Sequence, residues 1–233
     1  HGNIIKYVDR SIDDNWAWIV MEFAPGKSIT KTLDERAGPF TEDEAKPIFK
    51  ELCAAVHYLH CDFNQPFIHR DIKPDNITIE LDPGTGAVSL KLVDFGIAKR
   101  PESRNQNTPG MGTPHYIAPE AEVYDGENPE PYGVAVDCYS LGATLYYMLT
   151  KKHPPGHQAL NLDMLFDGPE GSRCSENAKK MIKALMNKDP YYRMNITEAV
   201  EAVEALGSDS RIEVLDVMRA EPFSDKARAM KEA

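Results

Sequence analysis

Cysteine is scarce in this sequence, and long apolar runs are absent from it. The four cysteines form no C-x-x-C pair and lie far apart along the chain, at Cys53, Cys61, Cys138 and Cys174. This usage argues against a disulfide framework and favours a reducing, cytoplasmic compartment. No stretch approaches the roughly 18 consecutive apolar residues that a membrane helix requires, so we expect no membrane partner.

Positive charge is also in deficit. Lys and Arg number 26 against 37 Asp and Glu, which gives a net charge of −11. Binding to a nucleic-acid backbone depends on clustered Lys and Arg, so we expect no nucleic-acid partner. The remaining composition, 42% hydrophobic and 27% charged residues, is ordinary for a globular protein, and 233 residues can bury a sizeable core.

Hydrophobic periodicity predicts an α+β fold that is mainly α. Residues 3–23 carry β-branched and aromatic residues on both sides of an Asp-Asp-Asn turn, which predicts a two-stranded hairpin. A second hairpin is predicted over residues 76–96, around the turn Pro-Gly-Thr-Gly. The stretch VDCYSLGATLYYMLTK is apolar on nearly every side, which predicts a helix buried in the middle of a domain.

Three further helices are predicted from their capping residues and apolar stripes. Thr41 and Glu44 have the spacing of a capping box. Pro47, inside that helix, is expected to cost a hydrogen bond or to bend the first turns. Two later amphipathic helices have plausible caps in Ser175, and in Asn195 or Thr197.

A set of polar residues falls on the loop that leads into the second hairpin. The stretch FIHRDIKPDN places Asp71, Lys73 and Asn76 at fixed steps between a helix and a strand. A loop Asp can orient a hydroxyl or accept its proton, and a Lys two residues later can neutralise a transferring phosphoryl group. Asn76, and Asp94 on the returning side of the hairpin, supply hard oxygen ligands suited to magnesium. The residues therefore predict a site that holds metal, phosphate and nucleophile together.

The sequence resembles the eukaryotic protein kinases, and five motifs in the right order carry the resemblance. HRDIKPDN resembles their catalytic loop, DFG their metal-binding turn, and GTPHYIAPE the end of their activation segment. DCYSLG matches the start of their buried central helix, and Arg193 matches the arginine that pairs with Glu120. The resemblance covers roughly residues 4–206, and Lys73 with the GTP triplet is similar to the serine/threonine branch.

The resemblance implies a catalytic role for several of these residues. Asp71 would be the catalytic base or hydroxyl-orienting group, and Lys73 would contact the γ-phosphate of ATP. Thr113 would hydrogen-bond toward both of them. Asn76 and Asp94 would hold Mg²⁺ and thereby contact the nucleotide.

The resemblance also implies where the adenine lies. Met21 would stand beside the ring as the gatekeeper, and the backbone of Glu22 and Ala24 would bond to its edge. Ile29 and Thr78 would complete the nucleotide contacts. Thr78 replaces the large aliphatic residue that is usual under the ring, which lowers the expected affinity for the nucleotide.

Activation-loop phosphorylation is a further implication, because an arginine precedes Asp71. Thr108 and Ser103 are the candidate acceptors. The position three residues before Gly112, which is often phosphorylated in the family, is Pro109. Thr108 therefore lies one step out of register.

Half of the family pattern is missing from the sequence. No Gly-rich phosphate loop and no lysine strand precede His1, so the chain is expected to be a fragment and a poor catalyst by itself. A lone hairpin is marginally stable, so residues 1–23 are expected to need the missing N-terminal lobe or a partner chain as cover. The expected organisation is a hairpin and hinge over 1–23, a helical C-terminal lobe over 24–206, and a charged, partly helical tail over 207–233.

The predicted function is transfer of the γ-phosphoryl group of Mg·ATP to a hydroxyl of a protein substrate. Two alternatives stay open. A catalytically inactive kinase-derived lobe would serve as a scaffold or assembly subunit. A small-molecule phosphotransferase would share the catalytic Asp and Asn, but it has no use for GTPHYIAPE, the segment that receives a protein substrate in the kinases.

Overall fold

A computed structural model describes residues 1–13, 15–82, 84–85, 87–96, 98, 113–122, 133–207 and 213–214. Two small sheets and a group of helices make up the described elements, and the buried apolar residues form one connected core. This architecture confirms the predicted α+β, mainly α class. Within the described ranges, no helix combines the length and apolar character needed to cross a membrane.

The first predicted hairpin is present. Strands β1 (Tyr7–Ile12) and β2 (Ala17–Met21) pair antiparallel. Asp13 closes the turn, because its Oδ1 accepts hydrogen bonds from the N–H groups of Asn15 and Trp16 at 2.9 and 2.8 Å. Every residue of both strands is exposed. The hairpin therefore presents the apolar surface expected from its sequence.

The second predicted hairpin forms part of a larger sheet. Strands β4 (Ile77–Leu81) and β5 (Val88–Leu92) pair antiparallel. A short strand that the sequence did not predict, β3 (Lys27–Ser28), adds to the other edge of β4. Gly26 permits this approach, because a Cβ there would lie 2.1 Å from the carbonyl oxygen of Ile79. Its φ of 88° also favours glycine.

Backbone hydrogen bonds attach the start of the chain to the same sheet. The N–H of Ile5 donates to the carbonyl of Leu92 at 3.0 Å, and the N–H of Leu92 donates to the carbonyl of Asn3 at 2.8 Å. Ile4 thereby bridges Leu92 in a parallel orientation. The base of the first hairpin is therefore held at the end of β5 that leads to Asp94.

The longest described helix begins where its capping box predicts. Helix α2 (Glu42–Cys61) follows a short helix, α1 (Ile29–Asp34). The N–H of Glu44 donates to Thr41 Oγ1 at 3.3 Å, and the N–H of Thr41 donates to the Glu44 carboxylate at 2.8 Å. The helix continues through Pro47, so the proline removes one donor without ending the helix.

The central helix is buried on nearly every side, as predicted. Helix α4 (Ala135–Thr150) follows the short helix α3 (Pro119–Glu122), and all residues of α4 except the first are buried. Helix α5 (Glu176–Leu185) approaches it closely at Gly142. A Cβ at Gly142 would lie 2.7 Å from the Cβ of Leu185, so the glycine permits this helix contact.

The two remaining predicted caps are also formed. Ser175 begins α5, and its Oγ accepts a hydrogen bond from the N–H of Ala178 at 3.1 Å. Helix α6 (Ile196–Ala202) begins at Asn195, whose Oδ1 accepts from the N–H of Glu198 at 3.0 Å. Of the two candidate caps, Asn195 and Thr197, the helix therefore uses Asn195.

Short turns and part of the tail complete the described structure. Single 3₁₀ turns cover Pro74–Asn76, Gly171–Arg173 and Val203–Ala205. In the predicted tail, 207–233, Val214 is fully buried in the core, and Glu213 lies 3.3 Å from Lys180. The helicity predicted for the tail falls mainly on residues outside the described ranges.

The Glu120–Arg193 ion pair provides a test of the core. The guanidinium donates to both carboxylate oxygens, at 2.5 and 2.9 Å, and the Arg193 side chain has no exposed surface. We expect Arg193→Ala to lower the free energy of unfolding by about 3–5 kcal/mol, because it leaves a carboxylate without its buried partner. Urea unfolding measures this change.

Lys27→Ala is the matched control for that experiment. Lys27 and Glu35 form a pair of the same length, 2.5 Å, but both side chains are 50% exposed. Exposed pairs contribute little to stability, so the control should unfold close to the wild type. Equal losses in the two variants would contradict the argument from burial.

Candidate active site

A fully buried carboxylate organises the predicted catalytic loop. Asp137, on α4, has no exposed surface and accepts hydrogen bonds from the backbone N–H groups of His69 and Arg70, each at 2.8 Å. His60, near the end of α2, bonds to the same carboxylate through Nε2 at 2.9 Å. These contacts hold the loop between α2 and β4 against the central helix.

Two residues of the site have backbone conformations that are uncommon for side chains other than glycine. Arg70 has a φ of 69° and Asp94 a φ of 64°. Such residues persist where surrounding contacts determine their conformation, and they cluster at functional sites. The hydrogen bond that the Arg70 N–H donates to Asp137 constrains Arg70, and the bond from the Gly96 N–H to Asp94 Oδ1, at 3.2 Å, constrains the turn.

The surroundings of Asp137 favour its ionised form. Burial by itself would raise the pKa of Asp137. The hydrogen bond and charge of His60, the charge of His69 and the N–H of Arg70 outweigh burial, so that pKa is lowered. Burial lowers the pKa of His69, although the charge of Asp137 opposes this change.

His69 connects the catalytic loop to the turn that carries Asp94. Its Nε2 lies 3.1 Å from the carbonyl oxygen of Val93. Its ring also meets the ring of Phe95 edge-on, with centroids 4.7 Å apart. Val93 and Phe95 flank Asp94, so the loop and the turn are fixed relative to each other.

Asp71, Lys73 and Thr113 form a closed triangle of hydrogen bonds. The Lys73 ammonium donates to Asp71 Oδ2 and to Thr113 Oγ1, each at 2.7 Å. The Thr113 hydroxyl donates to Asp71 Oδ1 at 3.0 Å. All three side chains remain partly exposed. The structure thus brings together the three residues predicted to be catalytic, on a surface that a ligand can reach.

The residues expected to hold magnesium lie together at the open end of the β4–β5 hairpin. Asn76 directly precedes β4, and Asp94 follows β5 by two residues. Asn76 Nδ2 donates to the carbonyl oxygen and to Oδ2 of Asp71, both at 2.9 Å, so Asn76 Oδ1 is the atom that a ligand would meet. The N–H of Val93 donates to the carbonyl of Asn76 at 2.9 Å, which brings Asp94 alongside.

This donor set fits magnesium. An amide oxygen and a carboxylate are the hard ligands that Mg²⁺ prefers, and the ion commonly takes its other ligands from phosphate and water. Within the described ranges, no three His, Cys, Asp or Glu side chains gather in a metal-binding cluster. An ion held by Asn76 and Asp94 would take its remaining ligands from phosphate and water.

The residues predicted to contact adenine lie where β2 ends and along β4. Met21 is the last residue of β2 and is 47% exposed, and the partly buried Glu22 and Ala24 follow it. The N–H of Glu22 donates to the carbonyl of Lys6 at 2.9 Å, so this N–H is already paired within the hairpin. Thr78 is partly buried in the middle strand of the three-stranded sheet.

Ile29 does not fit its predicted role. It is the first residue of α1, and its side chain has no exposed surface because it packs into the core. A nucleotide has no access to it in this structure. The candidate phosphorylation sites Thr108 and Ser103, together with Pro109 and Gly112, lie outside the described residues.

Sequence reasoning missed the hydrogen bonds that the loop donates to Asp137 and the contact of His60 with the same carboxylate. Asp137 was recognised only as the start of the central-helix motif. The sequence did contain a signal for this role, because Asp137 is an acidic residue at the start of an otherwise apolar helix. A charge that is buried with such a helix requires hydrogen-bond donors around it. No comparable signal marks His60, whose partner is 77 positions away.

A separate groove of about 960 Å³ lies between the N-terminal ends of α2 and α5. It shares no lining residue with the catalytic loop. Its polar groups bond to one another, since the Glu42 carboxylate accepts from the N–H and Oγ of Ser175 at 2.6 and 2.8 Å. We assign it no role in the reaction.

The arrangement of loop, turn and central helix has counterparts among known proteins. The sequence model of the protein family described as the protein kinase domain matches residues 1–203. The chain belongs to the eukaryotic protein kinase family. The match confirms the resemblance that the five motifs carry, and it includes the hairpin, the catalytic loop and the central helix.

Kinases of two organisms illustrate the similarity. The probable serine/threonine-protein kinase fhkD of Dictyostelium discoideum is 36% identical over 220 residues, which cover 86% of this chain and 28% of the relative. A probable myosin light chain kinase of the same organism is 33% identical over 91% of this chain and 60% of its own length. The probable serine/threonine-protein kinase zyg-1 of Caenorhabditis briggsae is 32% identical over 86% of this chain and 26% of its own length. The chain thus spans about a quarter to three fifths of these relatives.

Asp137 predicts how stability depends on pH. Its pKa in the folded protein is below the ordinary value of 3.8, so it stabilises the folded state above that value and loses this contribution as pH falls through the lowered pKa. We expect Asp137→Asn to lower the free energy of unfolding at pH 7 by about 1–3 kcal/mol, because one charged acceptor is lost. We also expect a flatter profile below about pH 4.

Urea unfolding of both proteins between neutral pH and about pH 3 measures this effect. Other carboxylates titrate in both proteins, so the difference between the two curves isolates Asp137. Parallel curves over the whole range would show that Asp137 is not the group whose pKa folding lowers.

Proposed function

We propose that this chain is the catalytic part of a serine/threonine protein kinase, which transfers the γ-phosphoryl group of Mg·ATP to a hydroxyl of a protein substrate. The observation that carries the proposal is the triangle of Asp71, Lys73 and Thr113. It joins a carboxylate to a cation at 2.7 Å on a partly exposed surface. Because the chain belongs to the kinase family, we assign this triangle to phosphoryl transfer.

Asp71 would act on the attacking hydroxyl. A serine or threonine hydroxyl beside the carboxylate would donate a hydrogen bond to an Asp71 oxygen, which orients the hydroxyl oxygen toward phosphorus. As the new O–P bond forms, the bond to the departing oxygen of ADP breaks and the hydroxyl proton passes to Asp71. The products are a phosphorylated protein and ADP.

Lys73 would stabilise the charge on the transferring group. Its ammonium is held 2.7 Å from both Asp71 and Thr113, so it is a fixed cation in place before the reaction. Asn76 and Asp94 would hold magnesium, which neutralises phosphate charge when bound. Positioning and electrostatics of this kind account for most of the catalysis of phosphoryl transfer.

Several observations support the finer parts of the proposal. Lys73 and Thr113 occupy positions that resemble the serine/threonine branch, and the relatives fhkD and zyg-1 are named serine/threonine-protein kinases. Met21 and the backbone of Glu22 and Ala24 would face the adenine. All four cysteines are free thiols, which supports a reducing, cytoplasmic location.

A scaffold or assembly subunit is the second candidate, and the exposed hairpin favours it. Ile12, Trp16 and Phe23 are 71%, 69% and 87% exposed, and apolar surfaces of this kind mark interaction sites.

We propose residues 1–23 as a unit distinct from 24–206, covered either by an N-terminal lobe or by a partner chain. Sequencing the native polypeptide N-terminal to His1 discriminates the two, because a Gly-rich motif and a strand lysine favour the enzyme.

Asp71→Asn tests the proposed proton acceptor. The substitution keeps the size of the side chain and removes its charge. We expect the native polypeptide that carries it to lose about 10²–10⁴-fold in kcat, measured as label transferred from ATP to a protein substrate. Asp75→Asn is the matched control, because Asp75 is an exposed residue of the same loop and lies outside the triangle. Activity of Asp71→Asn equal to that of the control would remove Asp71 from the mechanism.

Thr113→Val tests the third corner of the triangle. The valine keeps the branched shape but neither donates to Asp71 nor accepts from Lys73. We expect kcat to fall by about 10–100-fold, because hydrogen bonds to two charged groups are lost. Thr113→Ser retains the hydroxyl and should recover most of the activity. A valine variant as active as the serine variant would contradict the role of the hydroxyl.

A further inference from the structure

An ion pair joins the expected adenine-binding segment to the strand that leads to an expected metal ligand. Lys91, on β5, places its Nζ 2.6 Å from Oε1 of Glu22, which directly follows β2. Met21 and Ala24 lie on either side of Glu22, and Asp94 lies three residues after Lys91. The ion pair therefore spans two sides of the proposed nucleotide site.

The same carboxylate also holds the chain just before β1. The N–H of Lys6 donates to Glu22 Oε1 at 3.0 Å, and the N–H of Glu22 donates to the carbonyl of Lys6 at 2.9 Å. We call the Glu22 carboxylate, the Lys91 ammonium and the Lys6 backbone the hinge latch. Three segments that are far apart in sequence meet at this one carboxylate.

The hinge latch is more sheltered than an ordinary surface pair. The side chains of Lys91 and Glu22 are 19% and 31% exposed, whereas those of the Lys27–Glu35 pair are both 50% exposed. The hydrogen bond from Lys91, and then that from the Lys6 N–H, lower the pKa of Glu22, so its carboxylate stays ionised at neutral pH. Screening by water is correspondingly weaker than at the exposed pair.

The orientation of the hairpin depends on contacts at its base. All residues of β1 and β2 are exposed, so their side chains add little packing against the rest of the described chain. The base is attached by the backbone bonds of Asn3 and Ile5 to Leu92 and by the hinge latch. Ile4 and Ile5 also pack against the core, and the Asn3 amide donates to the carbonyl of Glu51. A change in the latch is therefore transmitted directly to the segment that follows β2.

We propose that Glu22 and Lys91 are positioning residues for the nucleotide. Their ion pair fixes the backbone of residues 22–24 relative to the β4–β5 hairpin, so the adenine contacts and Asp94 are presented at one spacing. This inference rests on the proposed kinase function. Breaking the pair weakens the binding of ATP and leaves phosphoryl transfer at saturating ATP nearly unchanged, because the Asp71 triangle is untouched.

Glu22→Gln and Lys91→Met, each in the native polypeptide, test the hinge latch. Glu22→Gln keeps an oxygen for the Lys6 N–H and removes only the charge. We expect KM for ATP to rise by about 3–10-fold in both variants, with the kcat of Lys91→Met changed by less than about twofold. Without ATP, we expect the amides of residues 17–22 to exchange with solvent about 3–10-fold faster.

Three controls separate positioning from a general loss of structure. Lys91→Arg keeps the cation and should retain the wild-type KM. Glu35→Gln breaks an exposed pair of 2.5 Å that does not include the Glu22 carboxylate, and it should change neither readout. The double reversal Glu22→Lys with Lys91→Glu should recover part of the loss seen in either single reversal.

Unchanged KM and unchanged exchange in both test variants would overturn the proposal. A lower KM or a higher kcat would also overturn it, because the pair would then restrain the site rather than position it. A wild-type polypeptide that transfers no phosphate would overturn the proposed function instead. The exchange measurement needs no activity, so it would still decide whether the latch holds the hairpin.

Discussion

The hydrogen bonds accepted by the buried carboxylate of Asp137 are the interaction on which the candidate site depends. Burying an ionised carboxylate costs free energy unless donors surround it. Here the donors are the backbone N–H groups of His69 and Arg70 and the imidazole of His60. Because these donors belong to the catalytic loop and to α2, the loop reaches its conformation only when the helical core is folded.

The geometry at Asp71 follows from this anchoring. Arg70 is held in a left-handed conformation one residue before Asp71, and the carboxylate of Asp71 then meets Lys73 and Thr113. A side chain in such a network needs little reorganisation when a substrate arrives, which is the property that makes fixed charges effective in catalysis. The buried core is thus connected to Asp71 by the hydrogen bond from the Arg70 N–H to Asp137 and by the peptide bond between Arg70 and Asp71.

Features that depend on neighbouring residues were predictable from the sequence. The caps at Thr41, Ser175 and Asn195 are local, because each partner lies three residues away. Both hairpins are local as well, because their paired residues lie no more than 15 positions apart. The site residues were located through the family resemblance, since their spacing alone suggested chemistry without proving an arrangement. Ile29 was placed wrongly, because membership of a motif region does not reveal which side chains the core encloses.

Contacts between distant segments were not predictable. The pairing of β3 with β4 depends on the close approach of Gly26 to Ile79, and no pattern within residues 24–28 indicates that partner. The Glu22–Lys91 pair joins positions 69 residues apart, and charged residues of both signs are common along the chain. Only the folded arrangement selects these partners from many possible ones.

Transfer of γ-phosphate label from ATP to protein by the native polypeptide, with the modified amino acid identified, tests the central claim most directly. The account predicts magnesium-dependent label in phosphoserine or phosphothreonine. An intact native polypeptide that binds no ATP and transfers no label would contradict the account. The same result would indicate that the anchored loop is retained in a scaffold.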